Sequence, residues 1–233
     1  MKKSVVILLG LLVTFCSSPS SKTMNVSGSI EGLRKGTLYL QKLQDTLLVT
    51  VDSLQVNGNS EFTLGDNLES PEFYFLALNK SDQDSLTEKI LFFGDRGEIK
   101  INTLLNTFSS SAKIEGSKNH DLWTEYQSVI KKFNNQNLDL LEDYLEQEGD
   151  FAANNRQQVF DEKSSTMLRR KYLYTINYAM NNADKEIAAY LGAYELSNAG
   201  TVFLDSLYST LSSEVKMSKY GVEFKHQLDS LVR

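Results

Sequence analysis

The sequence predicts an α+β protein in which an N-terminal antiparallel β-sandwich or barrel is followed by an α-helical domain. Two observations support this fold class. Short apolar runs separated by turn residues fill residues 24–116, whereas apolar side chains recur every three or four positions in residues 117–233. The pattern changes near Gly116, so we expect the domain boundary there. Pro71 is the only proline after residue 22, so no proline interrupts the predicted helices.

Seven runs in the first part have the length and composition of β-strands, and glycine, asparagine and aspartate separate them. They cover residues 26–30, 37–40, 47–51, 61–64, 73–78, 89–93 and 98–101. Asn57-Gly58 gives the strongest hairpin signal, because both residue types tolerate a positive φ angle. Many short strands of this kind favour an antiparallel sandwich or barrel.

A one-sided apolar pattern predicts a long amphipathic helix after Gly116, with Gly149 as its expected end. Ser117 or Asn119 would cap its start. Four more helical stretches follow it. In chain order, the predicted helices cover residues 122–144, 160–179, 187–194, 201–211 and 220–232.

The first predicted helix carries a wide apolar stripe that includes Leu122, Trp123 and Tyr126. Burying a large apolar side chain is worth about 1.5–3 kcal/mol, so we expect this stripe to pack and not to face water. The junction at residues 115–119 contains no proline-rich or serine-rich linker. The two halves should therefore pack on each other, with Trp123 largely buried.

Residues 1–22 are expected to be an export signal followed by a short tether. Lys2 and Lys3 precede an uninterrupted apolar run at residues 5–13. A membrane-spanning helix needs about 20 apolar residues. This run is about half as long, which is typical of a signal peptide.

Residues 12–16 resemble the lipobox of bacterial lipoproteins, in which the cysteine becomes the first mature residue and carries acyl chains. Val13 and Thr14 fit the pattern, and Cys16 is the only cysteine of the chain. Phe15 departs from it, since a small residue is usual there, and ordinary signal cleavage near Ser20 is the alternative. The resemblance implies that Cys16 is lipidated and that the protein binds a membrane through this anchor.

Charge and cysteine content argue against several classes of function. The chain has 24 basic and 30 acidic residues, a net charge of −6, so nucleic acid is not an expected partner. A lone cysteine cannot form an intramolecular disulfide, a CxxC pair or a cysteine-based zinc site. We therefore expect no bound metal and no cofactor.

No motif in the sequence indicates a catalytic site. His120 and His226 are the only histidines, and no GxSxG motif accompanies them. Two SxxK matches, at Ser128 and Ser213, lack the other elements of penicilloyl-serine enzymes. The basic cluster at residues 169–171 lies among tyrosines that could stack on a sugar or a peptide, although their helical spacing favours a place in the core.

Short motifs follow one another through residues 24–119: Val26-x-Gly28-x-Ile30-x-Gly32, Gly36-Thr37-x-Tyr39-Leu40, Val51-Asp52-Ser53, Asn57-Gly58-Asn59-x-Glu61-Phe62, Pro71-x-Phe73-Tyr74, Gly94-Asp95-x-Gly97-x-Ile99 and Ile114-x-Gly116-Ser117-x-Asn119. Their order resembles a lipoprotein domain of unknown function that precedes thioredoxin-like domains in envelope thiol–disulfide oxidoreductases of Gram-negative bacteria, which are related to the peroxiredoxin superfamily. In the helical half, the pattern that resembles the segment leading into the thioredoxin domain is Tyr208-x-x-Leu211-x-x-x-Val215-x-x-Ser218-x-x-Gly221.

This resemblance covers residues 24–233 and implies a lipid-anchored protein of a Gram-negative cell envelope, facing the periplasm or the surface. The thioredoxin domain of those relatives is missing from the sequence, so no redox residue carries over. We expect a non-catalytic binding or accessory module, with its site on a concave sheet face or in a groove between sheet and helices. The alternatives are a redox-accessory protein that works in trans with a separate thioredoxin-like oxidoreductase, an unrecognised hydrolase, or a scaffold for other envelope proteins.

Overall fold

The structure, a computed structural model, describes residues 22–80, 88–146 and 153–231. The expected export signal, Cys16 and Gly149 lie outside these residues. The predicted fold class is confirmed, because strands fill the first half and helices the second. The strands are β1 (Met24–Glu31), β2 (Lys35–Gln44), β3 (Leu47–Asn57), β4 (Glu61–Asp66), β5 (Glu72–Asn79), β6 (Glu88–Gly94), β7 (Gly97–Leu104) and β8 (Lys113–Glu115).

The helical half begins directly after β8. Its helices are α1 (Lys118–Glu146), α2 (Ala153–Asn181), α3 (Glu186–Tyr190), α4 (Thr201–Thr210), α5 (Ser213–Met217) and α6 (Lys219–Leu231). A π-helical turn, Leu191–Glu195, continues α3. Every predicted strand and helix is present, whereas β8 and α5 were not predicted, because each is too short to show a period.

The strands form two four-stranded sheets, with the orders β4-β1-β7-β8 and β3-β2-β5-β6. Apolar side chains from both sheets fill one core between them, among them Val26, Leu38, Tyr74 and Ile99. The β half is therefore a sandwich. Its pairings are antiparallel except that of β1 with β7, which run parallel.

The hairpin expected at Asn57-Gly58 is wrong, because β3 and β4 belong to different sheets. Gly58 does adopt a positive φ angle of 89°, so the local turn is as predicted. The chain uses this turn to cross from one sheet to the other. The real hairpin partner of β3 is β2, and Asp45, with φ of 54°, lies in the turn between them.

The helices pack on the outer face of the β3-β2-β5-β6 sheet, at the end where Phe73 and Phe93 lie. Because side chains alternate across a strand, Tyr74 and Phe92 face the sandwich core, whereas Phe73 and Phe93 face the helices. A second core forms there, and the Phe73 and Phe93 rings lie 4.5 Å apart within it. The two halves are therefore packed together as expected. Trp123 packs against this core from its edge and is partly buried.

A buried polar cluster also joins the halves where α1 begins. Ser117 donates to Asp95 in the β6–β7 turn (3.0 Å), and its hydroxyl also caps α1. Asn119, which is 2% exposed, donates to Asp95 (2.7 Å) and to Glu186 (2.9 Å). Its side-chain oxygen accepts from the backbone N–H of Ile187 at 2.9 Å. These bonds fix α1 and α3 against the sandwich.

Candidate functional site

A groove between the sandwich and the last two helices is the candidate functional site. Its volume is about 560 Å³, and residues from segments 42–45, 69–72 and 217–223 line it. It lies between sheet and helices, one of the two places where a site was expected. We call it the groove below.

The tip of the β2–β3 hairpin forms one wall of the groove. β2 pairs with β5 only as far as Lys42, whereas its pairing with β3 continues to Gln44 and Leu47. The hairpin therefore extends past the rest of the sheet, where no strand covers its side chains. Three leucines near the tip are 45%, 70% and 37% exposed: Leu43, Leu47 and Leu48.

The corner between α5 and α6 forms the opposite wall. Ser218 breaks the helix with an extended backbone conformation, and its hydroxyl accepts from the backbone N–H of Gly221 (3.2 Å), in the first turn of α6. Met217 and Val222, on either side of this corner, are 76% and 46% exposed. Apolar side chains on both walls thus remain open to water, a feature typical of binding surfaces.

The floor of the groove is an ion cluster that connects the two walls. Glu72, which is 7% exposed, accepts from Lys219 of α6 at 2.5 Å and lies 3.4 Å from Lys42 of β2. Lys219 also donates to the backbone carbonyl of Leu43 at 2.7 Å. The buried charge of Glu72 is tolerated only because the two lysines pair with it. These pairs connect β2 to α6, so the cluster fixes the distance between the walls.

The groups beneath the floor are held in their usual protonation states. Burial alone would lower the pKa of Lys42, but its hydrogen bond to Asp66 (2.8 Å) and the charges of Glu72 and Asp66 raise that pKa above its usual value. Burial opposes a low pKa at Asp66, yet bonds from Lys42 and Tyr74 lower it. Burial also raises the pKa of Tyr74 far above its usual value. These shifts keep Lys42 and Asp66 charged near neutral pH, so their ion pair persists there.

The charges that line the groove are unequal. Two lysines, both engaged with Glu72, stand against four carboxylates: Asp45, Glu69, Glu72 and Glu223. The groove therefore offers a ligand apolar surface and an excess of hydrogen-bond acceptors. A segment with apolar and basic side chains fits that chemistry.

The two histidines do not form a catalytic site. His226 is exposed on α6, whereas His120 is half-buried at the start of α1. The Nδ1 atom of His120 accepts from the backbone N–H of Phe93 (3.3 Å), so the proton of the neutral ring is on Nε2. Nε2, which lies 3.5 Å from Thr124, is then a donor and cannot take the proton of that hydroxyl.

The other candidate motifs also have structural explanations. Ser128 donates to a carbonyl of its own helix (2.7 Å), and Lys216 donates to the carbonyl of Ser209 (2.9 Å), so neither SxxK pair makes a serine–lysine contact. Tyr174 and Tyr178, near the basic cluster, pack against the second core. Within residues 22–80, 88–146 and 153–231, no group of histidine, cysteine, aspartate and glutamate side chains could hold a metal ion. No helix in these ranges is long and apolar enough to cross a membrane.

The residues of the groove floor were not predicted from the sequence. Lys42, Glu72 and Lys219 are distant from one another in the chain, and each would pass for an ordinary surface charge. The adjacent leucines at 47 and 48 are the one local signal, since a strand with one buried face would alternate there.

The fold and the groove define a class of protein, a β-sandwich with a helical layer on one sheet and a surface groove where the two meet. Residues 24–123 match a family model, Domain of unknown function (DUF4369). The match runs past the sandwich into the first turns of α1, which include the polar cluster at Ser117 and Asn119. No curated protein and no solved structure matches the chain.

Proposed function

We propose that this chain is a membrane-anchored envelope lipoprotein that acts as a non-catalytic binding or accessory module, with the groove as its binding site. One observation carries the proposal: three exposed apolar side chains, Leu43, Met217 and Val222, line the groove, and both lysines of its floor are already paired with Glu72. Such a surface offers binding energy without a reactive group. Its ligand is a polypeptide segment of another envelope protein that carries apolar and basic side chains.

The position of the groove agrees with an anchor at Cys16. The hydroxyl of Thr23 accepts from the backbone N–H of Leu68, directly before the groove residue Glu69. The chain thus enters the sandwich at the end where the groove lies. Lys22 follows Cys16 by six positions, and an extended chain of that length spans at most about 20 Å. A lipid on Cys16 would hold the groove close to the membrane surface, where a second anchored protein could reach it.

The sequence resemblance supports one class of partner, a separate thioredoxin-like oxidoreductase of the same envelope. The chain would then act in trans, by holding or positioning the enzyme, and the partner would supply both cysteines. The DUF4369 match at residues 24–123 is compatible with this role and specifies no partner.

Site-specific photo-crosslinking in intact cells tests the groove. A photoreactive residue in place of Leu43, which lines the groove and is 45% exposed, should give a discrete adduct with another envelope protein. The matched control is the same residue in place of Val202, which is 78% exposed on α4, and it should give none. Val222→Asp, on the opposite wall, should reduce the Leu43 adduct, whereas equal labelling from positions 43 and 202 would contradict the proposal. Identification of the adduct by mass spectrometry decides whether it is a thioredoxin-like protein.

The anchor has its own test. Cys16→Ala should release the protein into the soluble envelope fraction, because the acyl chains supply the membrane affinity. Wild-type protein that incorporates no labelled fatty acid would contradict lipidation and would indicate that Phe15 blocks processing. This result would leave the groove experiment intact, so the two parts of the proposal can fail separately.

A further inference from the structure

We infer that two copies of this chain associate through the far ends of α1 and α2. We call these ends the arm: residues 131–146 of α1 and residues 155–170 of α2. The arm extends beyond the buried part of the second core, since Ile130 is the last buried residue of α1 and Thr175 the first of α2 among those described, and Phe133 at its base still packs against that core. In the arm, the two helices meet only each other, along one seam where Tyr144 and Phe160 are 4.7 Å apart.

The arm exposes a regular apolar stripe. Three leucines of α1 recur with spacings of three and four residues, so they lie on one face of the helix. Leu138, Leu141 and Leu145 are 61%, 39% and 68% exposed. Leu168 of α2 is 50% exposed. Because Leu140 and Tyr144 already occupy the seam, the stripe is a second apolar surface that the described part of the chain does not cover.

The charges of the arm identify a second copy as the occupant. Residues 133–146 of α1 carry four carboxylates and no basic side chain, whereas residues 163–171 of α2 carry four cations and no acidic side chain. No ion pair joins these two runs within the described residues. Each arm therefore presents an acidic and a basic run to its surroundings, and another arm is complementary to both.

The two runs lie at different levels along the arm. Phe133 and Lys171 line one shallow groove, whereas Tyr144 lies level with Phe160. The four carboxylates at positions 139–146 are thus nearer the tip and the three cations at positions 169–171 nearer the base, whereas Lys163 of the basic run lies beside Asp143. A two-fold axis across two antiparallel arms places the acidic run of each copy against the basic run of the other, and this contact occurs twice.

The size of the arm is sufficient for a specific contact. Sixteen residues of helix span about 24 Å, and two helices side by side are about 20 Å wide. Each copy would bury about 480 Å², or roughly 1,000 Å² for the pair, which is about the smallest area of a biological interface and is typical of a weak dimer. The product is a four-helix bundle, in which the leucine stripes form the new core.

Sedimentation equilibrium of the full chain, purified in detergent, tests the inference. The wild type should dimerise at micromolar concentration. Leu145→Glu should weaken the dimer at least tenfold, because both copies lose the contact. The matched control, Val202→Glu on α4, should leave it within about twofold, since an exposed residue outside the interface adds no binding energy. A wild type that stays monomeric at about 100 µM, far above the expected dissociation constant, would overturn the inference, as would equal effects of both substitutions.

Charge reversal tests the register independently of the leucine variant. Asp143→Lys and Arg170→Glu should each weaken the dimer, and the double variant should recover most of the loss, because the reversed charges again meet across the axis. Both residues are exposed, so circular dichroism should show an unchanged fold. Losses that simply add in the double variant would overturn the antiparallel arrangement.

Discussion

Asn119 is the residue that contributes most bonds to the joint between the two halves. Its side chain donates to Asp95 and Glu186 and accepts from the backbone N–H of Ile187, and it is almost fully buried. Asn119→Ala would leave a buried N–H and a buried carboxylate without their partner. We expect a loss of about 2–4 kcal/mol in the free energy of unfolding, measured by urea denaturation.

The control for this prediction is another asparagine of the same helix. Asn135 is exposed, and Asn135→Ala should change the free energy of unfolding by no more than about 0.5 kcal/mol. Similar losses for the two variants would show that helix propensity, not the buried joint, accounts for the effect.

His120 predicts a loss of stability in mild acid. Burial lowers the pKa of His120 below its usual value, and the carboxylates of Asp121 and Asp95 offset this only in part. The unfolded chain therefore binds a proton near pH 6.5, whereas the folded chain binds it only at lower pH. The contribution of His120 to the free energy of unfolding is fully present above about pH 6.5. It decreases as the pH falls from there toward the pKa of the folded state. Burial raises the pKa of Glu186, so proton uptake there acts in the opposite direction.

Comparison with His120→Gln isolates the histidine from Glu186. Glutamine can still accept from the backbone N–H of Phe93 but does not titrate. Urea denaturation between about pH 7.5 and pH 5.5 should show a steeper loss for the wild type than for the variant. Parallel pH profiles would contradict the assignment.

At the scale of single elements, the start of α6 depends on a glycine. A Cβ atom on Gly221 would lie 2.0 Å from the carbonyl oxygen of Val215, so the α5–α6 corner leaves no room for a side chain. Gly221→Ala should cost about 2 kcal/mol in thermal or urea denaturation, although alanine is the better helix former. The groove should lose its partner contact at the same time, because this corner is one of its walls.

Gly200, at the start of α4, provides the matched control. The nearest atom to a Cβ there is a Phe203 carbon at 3.7 Å, and no side chain now caps the helix. Gly200→Ser should therefore be neutral or slightly stabilising, since serine is a favoured N-cap. A loss at both glycines would point to a general intolerance of substitution and not to the close contact at Gly221.

Elements were predictable where one local period decides the structure. The continuous apolar run of β5 and the apolar stripe of α1 could be predicted directly, because each pattern is set by burial against its neighbours. The strand order could not be read: Gly58 has the φ angle of a hairpin turn, yet it joins two sheets. A turn determines where the chain reverses, whereas the burial of both sheets determines which strands pair. The groove escaped prediction for the same reason, since Lys42, Glu72 and Lys219 meet only after the two halves have packed.

At the scale of the whole molecule, the packing of the halves predicts a single unfolding transition. Trp123 reports on their interface, because its ring lies 5.2 Å from Phe73 of the sandwich and 5.5 Å from Tyr190 of the helical half. Urea unfolding followed by Trp123 fluorescence should coincide with unfolding followed by far-ultraviolet circular dichroism. Limited proteolysis is a second measurement. A cut near Lys118 should produce no stable fragment.

Phe73→Leu sharpens this last prediction. The Phe73 ring touches the second core from the sheet, so its loss should lower the free energy of unfolding by about 1–2 kcal/mol and shift both signals equally. Phe75→Leu is the matched control, because Phe75 is on the same strand and outside both buried cores. If Phe73→Leu instead separates the two signals, the sandwich and the helices unfold independently, and the interface is too weak to hold the walls of the groove in place.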